Sequence, residues 1–235
     1  MRIERINNGF IQFYDNKVVE KTICNYNGIC MVFFHDKPPR ELCIGSSSYN
    51  AQYGMPVSED GSKIFIGFWD KEYGDYKKGL LAYDIKSGSM LWGLAEGKIR
   101  NIFVYPNYLI IVKASASILK VDIVDGIILE EIKSGTIEHI YDLGFPFVLA
   151  DTITGSLRVV NVESMTLLKS YGSKYKSKII NPLNCLGFTI TKAILYDNIL
   201  TISGFEEYPD KNYNIVGSNA FDRVIDSDFS SRSVN

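Results

Sequence analysis

The side chains best suited to chemistry are few and scattered. His35 and His139 are the two histidines, so no strand or helix carries a histidine pair at metal-binding spacing. His139 alternates with Ile137 and Tyr141 and reads as a structural histidine on a strand, whereas His35, in His35-Asp36-Lys37-Pro38-Pro39-Arg40, reads as a solvated loop residue. Cys24, Cys30, Cys43 and Cys185 lack the paired Cys-x-x-Cys spacing of a zinc site, and each sits in or beside an apolar stretch. They are expected to be buried free thiols, with a Cys24–Cys30 disulfide as the alternative. Ser46-Ser47-Ser48 reads as a polar connector. Nucleophile-elbow, dinucleotide and phosphate-loop patterns are absent, and a Ser–His–Asp triad would have to be assembled from distant residues. The expectation is a protein with no catalytic residue, no metal and no cofactor.

Aromatic and acidic residues gather instead in two connections. Trp69, Asp70, Glu72, Tyr73, Asp75 and Tyr76 lie in the first, and Glu206, Glu207 and Tyr208 in the second. Tyrosine gives rigid amphipathic contact area at modest entropy cost, and carboxylates steer a basic partner. These are the predicted partner-binding residues. Lys169, Lys174, Lys176 and Lys178 lie beside Tyr171 and Tyr175, an interleaving that can bind single-stranded nucleic acid. A solvated connection is the simpler reading, because the acidic loops would repel phosphate. The expected partner is a protein, and neither nucleic acid nor membrane.

The elements that would position these residues are strands and turns in repeat. Leu80 to Trp92, Ile118 to Glu130 and Leu157 to Lys169 align on Asp84, Asp122 and Asn161. Apolar residues flank each anchor: Tyr83, Val121 and Val160 before it, Ile85, Ile123 and Val162 after it, and Leu91, Leu129 and Leu168 further on. A period of about 40 residues, each unit built of strands and turns, signals a β-propeller. The fold class predicted is all-β: a single propeller of about five four-stranded blades, or six if Met1–Asp15 holds more than one strand. The blades fall roughly at 17–53, 54–96, 97–134, 135–173 and 174–225, with Gly9–Tyr14 completing the last blade and 226–235 a frayed tail. Calling each blade's strands a to d, the a–b and c–d turns share one face and are short. The b–c connections, taken as His35–Arg40, Asp70–Lys78 and Glu206–Lys211, are longer and would carry recognition on the other face.

Ala82-x-Asp84-x-x-Ser87-Gly88-x-x-x-Trp92 resembles the repeat motif of quinoprotein-type (PQQ-like, WD40-like) propellers. The resemblance implies that Asp84 and Ser87-Gly88 shape the turn between the outer two strands and that Trp92 docks blade on blade. Asp can bond backbone amides two or three residues on, and Gly supplies the positive φ that closes such a turn. The second copy keeps Asp122 and Gly126 but has Glu130 in place of Trp. The third has Asn161, Ser164, Met165 and Lys169. The outline covers Met55 to Tyr171. The calcium site and catalytic Asp of quinoprotein dehydrogenases have no counterpart here, so the fold carries over and the quinone does not.

The chain has 235 residues, 46% hydrophobic and 22% charged, with a formal charge of −2. That is globular composition without a general pull toward phosphate backbones. The first residues lack the apolar core of a secretory signal, and cytoplasmic location is the expectation. By fold-level analogy, short propellers without a cofactor site resemble some bacterial immunity proteins, which neutralise a toxin by occluding it. An adaptor or scaffold, and a hydrolase or lyase using the central channel, are the alternatives.

Overall fold

A computed structural model of the chain describes residues 2–26, 29–43, 55–69, 78–97, 99–113, 117–153, 155–172, 187–209 and 215–229. Among these residues every regular element is a strand. The first sheet runs β1 (Arg2–Ile6), β2 (Gly9–Phe13), β3 (Val19–Asn25), β4 (Ile29–Phe34), β5 (Arg40–Cys43). The second holds β6 (Lys63–Trp69), β7 (Lys78–Asp84) and β8 (Met90–Leu94); the third β9 (Ile99–Val104), β10 (Tyr108–Lys113), β11 (Ser117–Asp122) and β12 (Ile128–Lys133). The fourth holds β13 (Ile137–Asp142), β14 (Phe147–Thr152), β15 (Leu157–Asn161) and β16 (Thr166–Tyr171), and the fifth β17 (Gly187–Tyr196), β18 (Ile199–Pro209) and β19 (Ile215–Asp226). In each sheet the strands pair antiparallel in chain order, so all five are meanders. A first strand for the second sheet is reduced to one bridge, Val57 to Ile64.

The inner strand β10 is apolar on both faces. Leu109, Ile110, Ile111 and Val112 of β10 are all fully buried, while the outer strand β12 is largely exposed. A continuous apolar run is what a strand needs when both faces of its sheet are covered.

The chain divides into two compact units, Met1–Glu131 and Ile132–Asn235, the boundary falling within β12. In the first unit one core packs Phe10, Val32 and Leu42 against Ile64, Ile66 and Ile85. A second packs Phe65, Leu80 and Trp92 against Leu109, Leu119 and Ile123. In the second unit Leu149, Leu157 and Val159 pack with Ile190, Leu200, Ile202 and Phe229.

Trp92 docks as the repeat motif implies. It is buried at 8% exposure, lies 6.0 Å from the Phe65 ring, and its Nε1 donates to the Ile123 carbonyl at 3.4 Å. Gly126 makes room for it. A Cβ there would lie 2.7 Å from the indole, and the φ of +77° is one that side chains resist. The Gly of one turn is therefore part of the socket for the preceding sheet's Trp.

Three expectations are corrected. Gly9–Phe13 does not complete the last blade. The Asn7-Asn8 turn folds it onto β1, and its other edge pairs with β3 from Gly9–Asn25 to Phe13–Lys21, so both edges are used. Cys24 and Cys30 are disulfide-bonded rather than free. They face each other across β3 and β4, with Cα atoms 4.1 Å apart. The C-terminal stretch is held through Phe229, which is buried against Phe147 and donates its amide to the Asn198 carbonyl at 2.7 Å.

Candidate functional site

Each repeat anchor caps its turn by accepting backbone amides. Asp84 Oδ1 accepts from the Ser87 amide and hydroxyl, both at 2.6 Å. Asp122 Oδ1 accepts from the Val124 and Asp125 amides, and Asn161 Oδ1 from those of Glu163 and Ser164. The Ser87 hydrogen bonds, with nearby Lys63 and Lys86, hold the Asp84 carboxyl below the usual carboxylate range.

In the first unit these turns meet others at one end of the strands. Asn16 joins them. Its Oδ1 accepts from the Val18 and Val19 amides, and its Nδ2 donates to the Ser58 carbonyl at 3.1 Å. The His35 amide donates to the Val18 carbonyl, and its ring Nε2 lies 3.1 Å from the Asn16 carbonyl oxygen. His35 thus holds a turn. The Asp60 turn adds a wall: Asp60 accepts from Ser58 Oγ at 2.6 Å, and from the Ser62 amide and hydroxyl at 3.0 and 2.8 Å. The Ser58 bond is the main cause of its lowered carboxyl pKa. Gly61, at φ +66°, presses this turn onto Val18, where a Cβ would lie 2.5 Å from the valine side chain.

Two clefts open among these turns. The larger, about 570 Å³, has Val18, Phe34, Pro38, Pro39 and Ile85 as apolar walls, Lys37, Arg40 and Lys86 as cations, and Asp60 as its acid. The smaller, about 370 Å³, shares Val18 and Asp60 and adds Lys17, Glu59, Lys63, Tyr105, Pro106 and Ile123. Volumes in this range suit a bound side chain or a small ligand. Chemically they offer apolar contact with cationic and acidic edges. The Ser58 and Ser62 hydroxyls are turned to Asp60, with no imidazole bonded to either to act as base. Among the described residues, no three His, Cys, Asp or Glu side chains gather as a metal site.

The predicted partner-binding residues are placed differently from one another. Trp69 ends β6. Asp70, Glu72, Tyr73, Asp75 and Tyr76 lie outside the described residues. Glu206, Glu207 and Tyr208 were expected in a loop and instead lie within β18. Glu207 pairs Gly187 on one side and Ser218 on the other, and Glu206 makes an ion pair with Arg223. The long register of β17, β18 and β19 extends the sheet past Phe205, where the sequence suggested a loop.

His35–Arg40 is also relocated. It joins β4 to β5, a c–d turn when β2 to β5 are read as a to d, and so lies at the same end as the Asp84 turn. Of the basic patch, Lys169 pairs with Asp226 at 2.8 Å and is structural, while Lys174, Lys176 and Lys178 fall outside the described residues. His139 is an exposed residue of β13. Sequence reasoning missed Lys37, Arg40 and Lys86 as residues of one cleft. The signal present was the Pro38-Pro39 pair between basic residues, a stiff wall on a turn.

Five meander sheets with repeated, Asp-capped turns and a Trp docked between sheets define a β-propeller repeat fold. Solved structures agree with that class. The chain is similar to BamB from Moraxella catarrhalis, with a TM-score of 0.55 and 12% identity over 92% of this chain. It is also similar to Chaetomium thermophilum Sqt1 bound to the N-terminus of the ribosomal protein L10, with a TM-score of 0.52 and 16% identity over 84% of this chain. The chain spans 63% of the first and 57% of the second. No family model and no curated protein matches it.

Proposed function

We propose that this chain is a non-enzymatic, protein-binding β-propeller. The observation that carries the reading is the pair of clefts at the turn end of the first unit, recesses that the turns' own side chains leave unfilled. Rigid turns on packed sheets present such a surface at little ordering cost. The Sqt1 structure, with the N-terminus of a ribosomal protein bound, gives a precedent for this use of the fold.

Two particular roles fit. An immunity protein occluding a basic toxin is supported by the acidic, tyrosine-bearing segment Asp70–Tyr76. An adaptor is supported by charge at the two ends of β6. The acidic segment follows its last residue, Trp69, and the cation-rimmed cleft lies beside its first, Lys63. As to compartment, the Cys24–Cys30 disulfide supports an oxidising one over the cytoplasmic expectation. Thiol titration of protein isolated without reductant tests this, with reactive Cys24 and Cys30 restoring the cytoplasm.

The test of function is affinity capture with the full chain, followed by reconstitution from purified components. A stoichiometric complex with one protein is expected. Rescue of cells from that partner's toxicity selects immunity, and simultaneous binding of two proteins selects the adaptor. Failure to reconstitute any complex overturns the protein-binding reading.

A further inference from the structure

We infer that the larger turn-end cleft is a docking site for an acidic peptide segment that inserts one aromatic or large aliphatic side chain among Val18, Phe34, Pro38 and Ile85. The inference rests on the protein-binding reading and gives that surface its partner chemistry.

Charge is the first ground. Lys37, Arg40 and Lys86 are exposed around the cleft, and none makes an ion pair among the described residues. The acid among the lining residues, Asp60, already accepts hydrogen bonds from Ser58 and Ser62, so its carboxylate is engaged within its own turn. Lys86 also acts on nearby Asp84, while Lys37 and Arg40 show no acidic partner among the described residues. A positive rim around an apolar recess complements carboxylates flanking an apolar anchor. This rim stands on a chain whose net charge is −2, so it is a local feature and not the general character of the surface.

Shape is the second ground. Ile85 belongs to the core beneath, and Val18 and Phe34 are partly buried against it, so the floor is fixed by packing. Pro38 and Pro39 stiffen one part of the lining, and the Asp60 turn stiffens another. A preformed recess of this kind binds an anchor side chain without first ordering its own residues. A nucleic-acid strand would use a row of aromatic faces with cations tracking the backbone. Here proline, aliphatic side chains and a single aromatic one, Phe34, line one recess, with Lys37, Arg40 and Lys86 among its lining.

The probe is a capped, fluorescein-labelled peptide, Glu-Asp-Phe-Glu-Asp, titrated with the whole chain at low salt and followed by anisotropy. Saturable binding is expected that weakens as salt rises. Lys37→Glu with Lys86→Glu is expected to weaken it at least about tenfold, because reversing two rim charges turns attraction for the peptide's carboxylates into repulsion. Lys133→Glu with Lys192→Glu changes the net charge equally elsewhere and is expected to weaken it less than about threefold. Replacing the peptide's Phe with Ala is expected to cost about tenfold, as for a truncated anchor. Circular dichroism and an unchanged melting midpoint confirm that both protein variants fold.

Absence of saturable binding overturns the inference, as does equal weakening by the two protein variants or equal affinity for the Ala peptide. Tighter binding of an oligothymidylate that displaces the peptide overturns it in favour of nucleic acid. A reconstituted protein partner that binds the Lys37→Glu, Lys86→Glu variant at full strength also overturns it, while leaving the protein-binding reading intact.

Discussion

The Asp84 and Asn161 turns occupy corresponding places in the second and fourth sheets, yet different chemistry holds the structure around them. At Asp84 a carboxylate accepts an amide and a hydroxyl, and the strand beyond delivers Trp92 into a socket completed by Gly126. At Asn161 a neutral amide caps the turn, Met165 takes the place of glycine at φ +49°, and Lys169 stands where Trp would. Lys169 then pairs with Asp226, which Tyr171 also holds at 2.7 Å. The second sheet fixes its outer strand by burying an indole and the fourth by a half-buried ion pair. The difference teaches that the same turn geometry can stand on different packing, because the cap needs just one side-chain oxygen while docking needs a matched Trp and Gly.

The largest effect expected follows from that contrast. Trp92→Ala should destabilise the fold by about 3–5 kcal/mol, as for other buried aromatic truncations. Gly126→Ala should cost about 1–3 kcal/mol through the forced φ and the collision with the indole. Urea denaturation of both single variants and the double should show strong non-additivity, since removing the Trp empties the space the new Cβ needs. Lys169→Ala should cost about 1 kcal/mol, the value of a part-exposed pair. A Lys169→Ala cost equal to that of Trp92→Ala would break the comparison.

A smaller effect separates the first sheet from the rest. Cys24→Ser with Cys30→Ser should destabilise by about 2 kcal/mol, the loop-closure contribution for so short a loop. Urea midpoints with and without reductant should differ for the parent chain and coincide for the variant.

The smallest effects concern the caps. Asp84→Ala should cost about 1 kcal/mol in lost turn hydrogen bonds. Asp60 and Asp84 have folded pKa values below their unfolded ones. Such a carboxyl adds stability that is fully present above its unfolded value, about pH 4, and is lost as pH falls through the folded value. Stability should therefore decline in acid, less steeply in an Asp60→Asn, Asp84→Asn variant. Asn161→Ala should leave the slope unchanged, because an amide does not titrate. Equal acid slopes in parent and double variant would remove the electrostatic half of the comparison.

Much of this architecture was legible from residues alone. Asp84, Asp122 and Asn161 with their flanking apolar positions gave the repeat, and Trp92 its place between sheets. What escaped depended on register. The Cys24–Cys30 pairing follows from which residues of β3 and β4 face each other, and adjacency in sequence does not reveal that. Glu206 and Glu207 are polar enough to read as loop, but both edges of β18 are paired there, and a strand satisfies its backbone whatever its side chains. The end at which His35–Arg40 lies depends on counting strands from the start, and the opposite pairing of Gly9–Phe13 shifts that count.

The most direct test of the central claim, that recognition sits at the turn end of the first unit, is amide mapping by nuclear magnetic resonance. The full chain would be titrated with the acidic peptide and, once reconstituted, with the protein partner. Shifts concentrated at Phe34–Arg40, Asp60–Ser62 and Ile85–Lys86 are the predicted result. Shifts concentrated at Trp69–Lys78 or along β19, with the turn end unmoved, would contradict it.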